Sequence, residues 1–212
     1  KCMKNNKFGY LKNEDLDFNK VCIFMHGTGG FLKASYKYMK HMNKLGYDVI
    51  APDHVEYHKK HRSDITYSTT PKSACSLHNQ LRYKYAINFR LKEIQTVIHE
   101  LAKKSSDIIL LGVSEGAISV SMYKSYIPVT KIMCSFFPMQ SYFTRSHVFE
   151  KHNVKKHLFL IGTEDQYFSP YTDSVSKLTQ KKCGGKHDYS HNVISIPLAK
   201  HNLLDNKVHS EL

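Results

Sequence analysis

The stretch IILLGVSEGAISVS, residues 108–121, limits what this chain can fold into more than any other. Its apolar run at 108–111 has the length and composition of a buried strand. Gly112-Val113-Ser114-Glu115-Gly116 follows, a G-x-S-x-G pentapeptide, and 117–124 then reads as a helix. A strand, a turn pinched between glycines and a helix together present a serine hydroxyl at a sharp, strained turn. Side chains at the flanking positions would block the close approach of strand and helix, so glycine is needed there. Taken alone the pentapeptide is a weak pattern, because Gly and Ser are common in loops and Ser also caps helices. Its meaning rests on what the rest of the chain supplies.

The same alternation continues on both sides. Residues 1–20 are polar, with Phe8-Gly9-Tyr10-Leu11 as a short edge strand. Residues 21–25 (VCIFM) read as a central strand that empties into His26-Gly27-Thr28-Gly29-Gly30. A helix is expected over 32–45, with Tyr38, Met42 and Leu45 on one face and Gly46 as its stop. Residues 47–51 form a short strand ended by Pro52-Asp53. The irregular segment 54–76 reads as a loop and partial lid. Apolar residues then recur at helical spacing over 77–104, at Leu91, Ile94, Val97, Ile98 and Leu101. Further strands are expected at 131–137, 157–161 and 192–196, with a polar excursion at 139–155 and a helix over 170–182. Continuous apolar strands alternating with helices predict one α/β domain over 1–212. Its central sheet would be mostly parallel, of about six or more strands, with helices on both faces.

Composition narrows the partners. At 212 residues one domain with a substantial core is accommodated and two would be cramped. The formal charge is +13, from 31 Lys+Arg against 18 Asp+Glu. The lysines are scattered (Lys4, Lys7, Lys40, Lys59, Lys103, Lys131, Lys155, Lys181), without a basic block or nucleic-acid motif, and read as a solvated surface. Nucleic acid is therefore not an expected partner; peripheral contact with anionic lipid is compatible with the charge. No apolar run is long enough to cross a membrane. The five cysteines are Cys2, Cys22, Cys75, Cys134 and Cys183. Odd in number and without a C-x-x-C pair, they suit a reducing compartment better than a disulfide framework. Cys22 and Cys134, inside strand-like runs, are expected to pack as small hydrophobes. A cytoplasmic protein is the expectation, with an upstream targeting segment left open.

In a parallel sheet the functional groups gather beyond the carboxyl ends of the strands. Ser114 follows the strand 108–111, Asp165 follows 157–161 and His201 follows 192–196. A serine hydroxyl is a poor nucleophile until an imidazole takes its proton. The imidazole needs a carboxylate to fix its tautomer and stabilise the imidazolium. The developing oxyanion needs preorganised donors, each worth ~3 kcal/mol. The Glu115 N–H, just past the serine, is one donor. Thr28 or Gly29, at the end of the strand 21–25, is the second.

In these features the sequence resembles the α/β-hydrolases, from about Val21 onward. The residues that carry the likeness are the H-G segment 26–30, the elbow 112–116, G-x-x-D at 162–165 and His201. The compact length, the HGTGGF loop and the A-x-D turn at 51–53 are similar to dienelactone-hydrolase-like enzymes and small carboxylesterases. The resemblance implies the α/β-hydrolase fold, a Ser114-His201-Asp165 triad, no cofactor and a small-molecule substrate. Dienelactone hydrolases carry cysteine where Ser114 stands, and the glycine often found after the elbow is Ala117 here. A serine esterase or thioesterase is therefore implied in preference to a dienelactone-specific enzyme.

Each assignment has a rival. Glu164 and Asp173 compete with Asp165 as acid, and the matching turn position favours Asp165. Among 14 histidines, His187 precedes the last strand and His191 sits at its start, so His201 is favoured. His26 reads as a brace for its loop, and Asp53 as shaping its own. His54, His58 and His61, with His187, Asp188 and His191, have spacings that could hold a cation. They lack cysteine or glutamate partners, and no metal site is expected. The alternatives to an esterase are a catalytically idle scaffold of the same fold and a lysophospholipid hydrolase.

Overall fold

The computed structural model describes residues 3–5, 8–11, 18–52, 77–136, 149–166 and 193–204. In chain order the elements are β1 (Met3–Asn5), β2 (Phe8–Leu11), β3 (Lys20–Met25), α1 (Lys33–Lys44), β4 (Asp48–Pro52), α2 (Leu77–Leu101), β5 (Asp107–Val113), α3 (Glu115–Met122), β6 (Val129–Cys134), β7 (Val154–Gly162) and β8 (Val193–Ile196). All of these strands lie in one 8-stranded sheet of order β1-β2-β4-β3-β5-β6-β7-β8. From β4 to β8 the neighbours pair in parallel. The strand expected at 8–11 is β2, but it is not the edge: it pairs antiparallel with β4 on one side and with β1, the outermost strand, on the other.

Alternation along the central strands builds a core on each face of the sheet. Val21, Ile23 and Met25 of β3, with Ile108 and Leu110 of β5, pack with Ile87, Ile94 and Ile98 of α2 and with Ile118 and Val120 of α3. Cys22 and Phe24, with Ile109 and Leu111, pack on the opposite face with Tyr38, Met39 and Met42 of α1. Burial on both faces is why these strands read as unbroken apolar runs. Cys22 and Cys134 are buried free thiols, as expected. Burial pushes the Cys134 thiol up to about 12 and Cys22 higher still, so neither is a nucleophile at neutral pH.

Strand order reverses beside β3: the chain steps from β3 to β4 on one side, then returns to β5 on the other. Such a switch point opens a crevice past the carboxyl ends of the strands. Met25 is in register with Gly112 across β3 and β5, so the loop 26–30 and the pentapeptide emerge side by side.

Two further sequence expectations are corrected. The strand expected at 131–137 runs from Val129 to Cys134 and stops at Ser135, whose φ of 54° turns the chain out of the sheet. Lys131, read as a surface lysine, is fully buried. Its Nζ donates to the carbonyls of Ser121 (3.2 Å), Tyr123 (2.7 Å) and Glu150 (2.8 Å) and lies 5.1 Å from the Phe149 ring centroid. Two of those carbonyls end α3, so the ammonium meets the negative end of the helix. The segments 54–76 and 170–182 lie outside the described residues.

Burial lowers the Lys131 pKa to about 7, against the opposing pull of Glu150. The folded value is below the unfolded one, so above pH 7 the unfolded chain holds a proton that the folded chain has released. The stability contributed by this group therefore rises with pH between about 7 and 10, by at most ~1.4 kcal/mol per unit. In urea titrations at pH 7 and 9, the native protein should gain stability relative to Lys131→Met at the higher pH. A gap independent of pH would contradict this.

Candidate active site

Ser114 is the residue between β5 and α3, with φ 56° and ψ −119°. A non-glycine residue held there costs about 1–3 kcal/mol and persists only where the surroundings enforce it. Here its N–H donates to the Cys134 carbonyl (2.9 Å), and its carbonyl accepts from the N–H of Ala117 (2.9 Å) and Ile118 (3.3 Å). The glycines on either side leave no alternative. A Cβ on Gly116 would run into the carbonyls of Met25 and His26, and one on Gly112 would stand 2.6 Å from the Ala117 backbone. The helix therefore begins at Glu115, two residues before the sequence placed it, directly against the serine.

Asp165 and His201 come from the ends of β7 and β8. β7 closes with Gly162, where a Cβ would meet the carbonyls of Ala199 and Lys200. That close approach lets Thr163 N–H donate to Ile196 O (3.0 Å) and Glu164 N–H to Ala199 O (2.9 Å). Leu198 N–H returns a bond to Thr163 Oγ1 (2.8 Å). With the turns after β7 and β8 laced together, His201 Nδ1 lies 2.8 Å from Asp165 Oδ2. Asp165 is fully buried, while the His201 side chain keeps 21% of its exposure. A carboxylate only accepts, so the Nδ1–H is the donor and Nε2 is the ring nitrogen on the side away from the acid. Glu164, the neighbouring rival, points to solvent as an exposed residue. The rivals Asp173, His187 and His191 lie outside the described residues.

The backbones of Ser114 and His201 are fastened to successive residues, Cys134 at the end of β6 and Ser135 just past it. Cys134 O accepts from Ser114 N–H, and the Ser135 hydroxyl donates to the His201 carbonyl. Ser135 was not singled out from the sequence; a serine just past a strand end was the only signal.

The loop after β3 completes the group. A Cβ on Gly27 would stand 3.4 Å from Ser114 Cβ and 3.9 Å from its Oγ, ordinary contact distances, so the loop lies directly beside the serine. Thr28 Oγ1 donates to Glu115 Oε2 (2.8 Å), tying the loop to the elbow. Gly29 is exposed and faces the Leu32 side chain. His26 is buried, with Nδ1 2.7 Å from Gly27 O and its ring edge-on to Phe31, which fits its reading as a brace.

Arg90 of α2 is a second residue that sequence reasoning missed. It is fully buried, and its Nη2 lies 2.7 Å from Glu115 Oε1. Nη1 donates to His26 O (2.6 Å) and Nη2 also reaches Gly27 O (3.4 Å). A signal did exist. Ile87, Arg90 and Ile94 fall at helical i, i+3, i+7 spacing, so the arginine interrupts an apolar stripe. A charge on a core face requires a buried partner.

Among the described residues no group of three or more His, Cys, Asp or Glu could hold a metal ion, and no helix is long and apolar enough to cross a membrane. The histidines considered for a cation, His54, His58, His61, His187 and His191, lie outside the described residues, as does Asp53.

No family model and no curated protein matches the sequence. Solved structures do match. A protein from Xanthomonas campestris pv. campestris, assigned as a hydrolase of the alpha/beta superfamily, is 11% identical with a TM-score of 0.52, covering 91% of this chain and 92% of its own. Est1E from Butyrivibrio proteoclasticus is 15% identical with a TM-score of 0.51, covering 97% and 94%. A protein assigned as a dienelactone hydrolase from Klebsiella pneumoniae is 17% identical with a TM-score of 0.52, covering 92% and 80%. At these identities the likeness is one of fold, and the fold is that of the α/β-hydrolases.

The strain at Ser114 is separable from its chemistry. Ser114→Gly should leave the protein as stable or up to about 1 kcal/mol more stable, because glycine accepts the positive φ. Gly116→Ala should lose about 1–3 kcal/mol through overpacking against the end of β3. Thermal denaturation of the two variants beside the native protein checks both signs.

Proposed function

We propose that the protein is a serine hydrolase that cleaves a carboxylic ester or thioester through an acyl-serine intermediate. The observation that carries this reading is the buried Asp165 paired with His201 at the sheet edge where the strained Ser114 also emerges. A surface histidine needs no buried acid on Nδ1, and a loop serine needs no enforced positive φ. Together they fit the chemistry of an activated hydroxyl.

In this reading Ser114 Oγ attacks the substrate carbonyl as His201 Nε2 takes its proton. Asp165 stabilises the resulting imidazolium and holds the ring in the required tautomer. The tetrahedral oxyanion accepts hydrogen bonds from the Glu115 N–H and from the loop amides at Thr28 or Gly29. Collapse breaks the bond to the alkoxide or thiolate leaving group, which receives the proton from His201. Water then enters, His201 takes its proton, and hydrolysis of the acyl-enzyme returns Ser114. The group needs no cofactor. The names of the structural neighbours, which include a hydrolase of the superfamily and a dienelactone hydrolase, support a hydrolytic role. The chain would act as a single domain on a small molecule. Its buried thiols favour a reducing compartment such as the cytoplasm.

Hydrolysis of p-nitrophenyl esters and thioesters of graded acyl length tests the proposal. Ser114→Ala should lower kcat/KM at least ~10⁴-fold and abolish labelling by a fluorophosphonate. Asp165→Asn should lower kcat ~10²–10⁴-fold with KM little changed. Chelation by EDTA should leave the rate as it is. A native protein that neither hydrolyses these substrates nor labels at Ser114 would sink the reading.

A further inference from the structure

The buried Arg90–Glu115 pair sits one residue from the serine and belongs to neither the acid nor the base. We infer that it is a positioning device which sets both oxyanion donors at once, an inference that rests on the hydrolase reading above. Glu115 enters the site twice. Its backbone N–H is the donor next to the serine, while its carboxylate accepts from Thr28 Oγ1 (2.8 Å) and so holds the loop that supplies the other donor. One residue thereby fixes the spacing between two groups that come from different strands.

Arg90 sets the direction in which that loop faces. In a trans peptide the C=O and the following N–H point opposite ways. The His26 carbonyl is held by Arg90 Nη1 at 2.6 Å. The Gly27 carbonyl lies 3.4 Å from Nη2 and 2.7 Å from His26 Nδ1, and also accepts from Gly30 N–H at 3.2 Å. The Thr28 N–H, opposite the Gly27 carbonyl, is therefore turned away from the guanidinium. Rotating that peptide would break the carbonyl's bonds and aim an oxygen where an amide is needed. Thr28, tied in by its side chain, is thus the loop donor this arrangement favours over the exposed Gly29.

Charge gives the pair a second duty. A buried carboxylate one residue from a developing oxyanion would oppose it, and the low local dielectric would strengthen the repulsion. The guanidinium 2.7 Å from Glu115 Oε1 cancels that charge. Removing Arg90 alone therefore does two kinds of harm: the loop is released and an unopposed anion remains beside the site. Neutralising Glu115 in the same chain removes the second.

Two independent comparisons test this on the full chain, reading kcat and KM separately with a p-nitrophenyl ester and the rate of Ser114 phosphonylation by a fluorophosphonate. Thr28→Val, which keeps the amide and loses the hydroxyl, should lower kcat ~10–100-fold with KM within about threefold, and Thr28→Ser should restore it to within about threefold of native. Arg90→Met should lower kcat ~100-fold or more, and adding Glu115→Gln should recover about tenfold of it. A role confined to stability would lower the unfolding temperature while the folded fraction kept its native kcat, and Thr28→Ser would then match Thr28→Val. That result, or native kcat in Thr28→Val, overturns the positioning role alone. If Arg90→Met does not fold, the Thr28 pair decides the question. Should the unsubstituted protein neither turn over ester nor label at Ser114, the hydrolase reading falls and the positioning role falls with it.

Discussion

Gly116 lies so close to the end of β3 that any side chain there would collide with the Met25 and His26 carbonyls. The rest of the site depends on that approach. It draws the amino end of α3 against the loop after β3, which forces the turn between β5 and α3 into the positive φ seen at Ser114. It also brings Glu115 within reach of Thr28 and Arg90. The strain at the serine and the order of the neighbouring loop are therefore two consequences of one packing contact. Parallel strands alone would not produce either. They deliver loops to a common edge, and the glycine contact decides how near those loops come.

The same device recurs at Gly162, where close approach to Ala199 and Lys200 joins the turns after β7 and β8. Backbone bonds between those turns hold Asp165 under His201, leaving the acid buried and the imidazole partly open. That difference in burial suits the roles proposed for them: a carboxylate shielded from water orients a ring efficiently, and a ring proposed to exchange protons with a substrate keeps an open side. The end of β6 links the two halves, since Cys134 and Ser135 hold the serine and the histidine through backbone-directed bonds. Each group is thus positioned by strand ends and not by a flexible segment, the arrangement that keeps such geometry within narrow tolerances.

Two buried cations show how differently one sign of charge can be used. Lys131 meets two carbonyls at the end of α3, the Glu150 carbonyl and an aromatic ring, so its burial serves the helix and the core. Arg90 meets one carboxylate and two loop carbonyls beside the serine. The planar fork of a guanidinium can serve all three in fixed directions, which a single ammonium on a flexible stem does less well. A formal-charge count that treats every basic residue as surface misses both, since each is fully buried. Net charge describes the protein's outer field and is silent on which charges lie within it.

Much was legible in the residues. Unbroken apolar runs at 21–25 and 108–111 specified buried parallel strands, because only a sheet covered on both faces tolerates such runs. The glycines at 112, 116 and 162, and the order of serine, acid and histidine after successive strands, marked the sheet edge where chemistry would sit. Asp165 and His201 were singled out by their places after successive strands and by the likeness to the α/β-hydrolases; in the structure His201 Nδ1 lies 2.8 Å from Asp165 Oδ2. What the sequence left open was set by contacts between segments far apart in the chain. Arg90 precedes Glu115 by a whole strand, and nothing local says that they meet; Lys131 looks like any exposed lysine until three distant carbonyls converge on it. The end of β6 at Ser135 was missed because the apolar pattern runs on past it. Local pattern fixes which face of an element is apolar and which turns need glycine. Only the packed structure decides which buried charges find partners, because that depends on where separate elements cross, and periodicity does not encode a crossing.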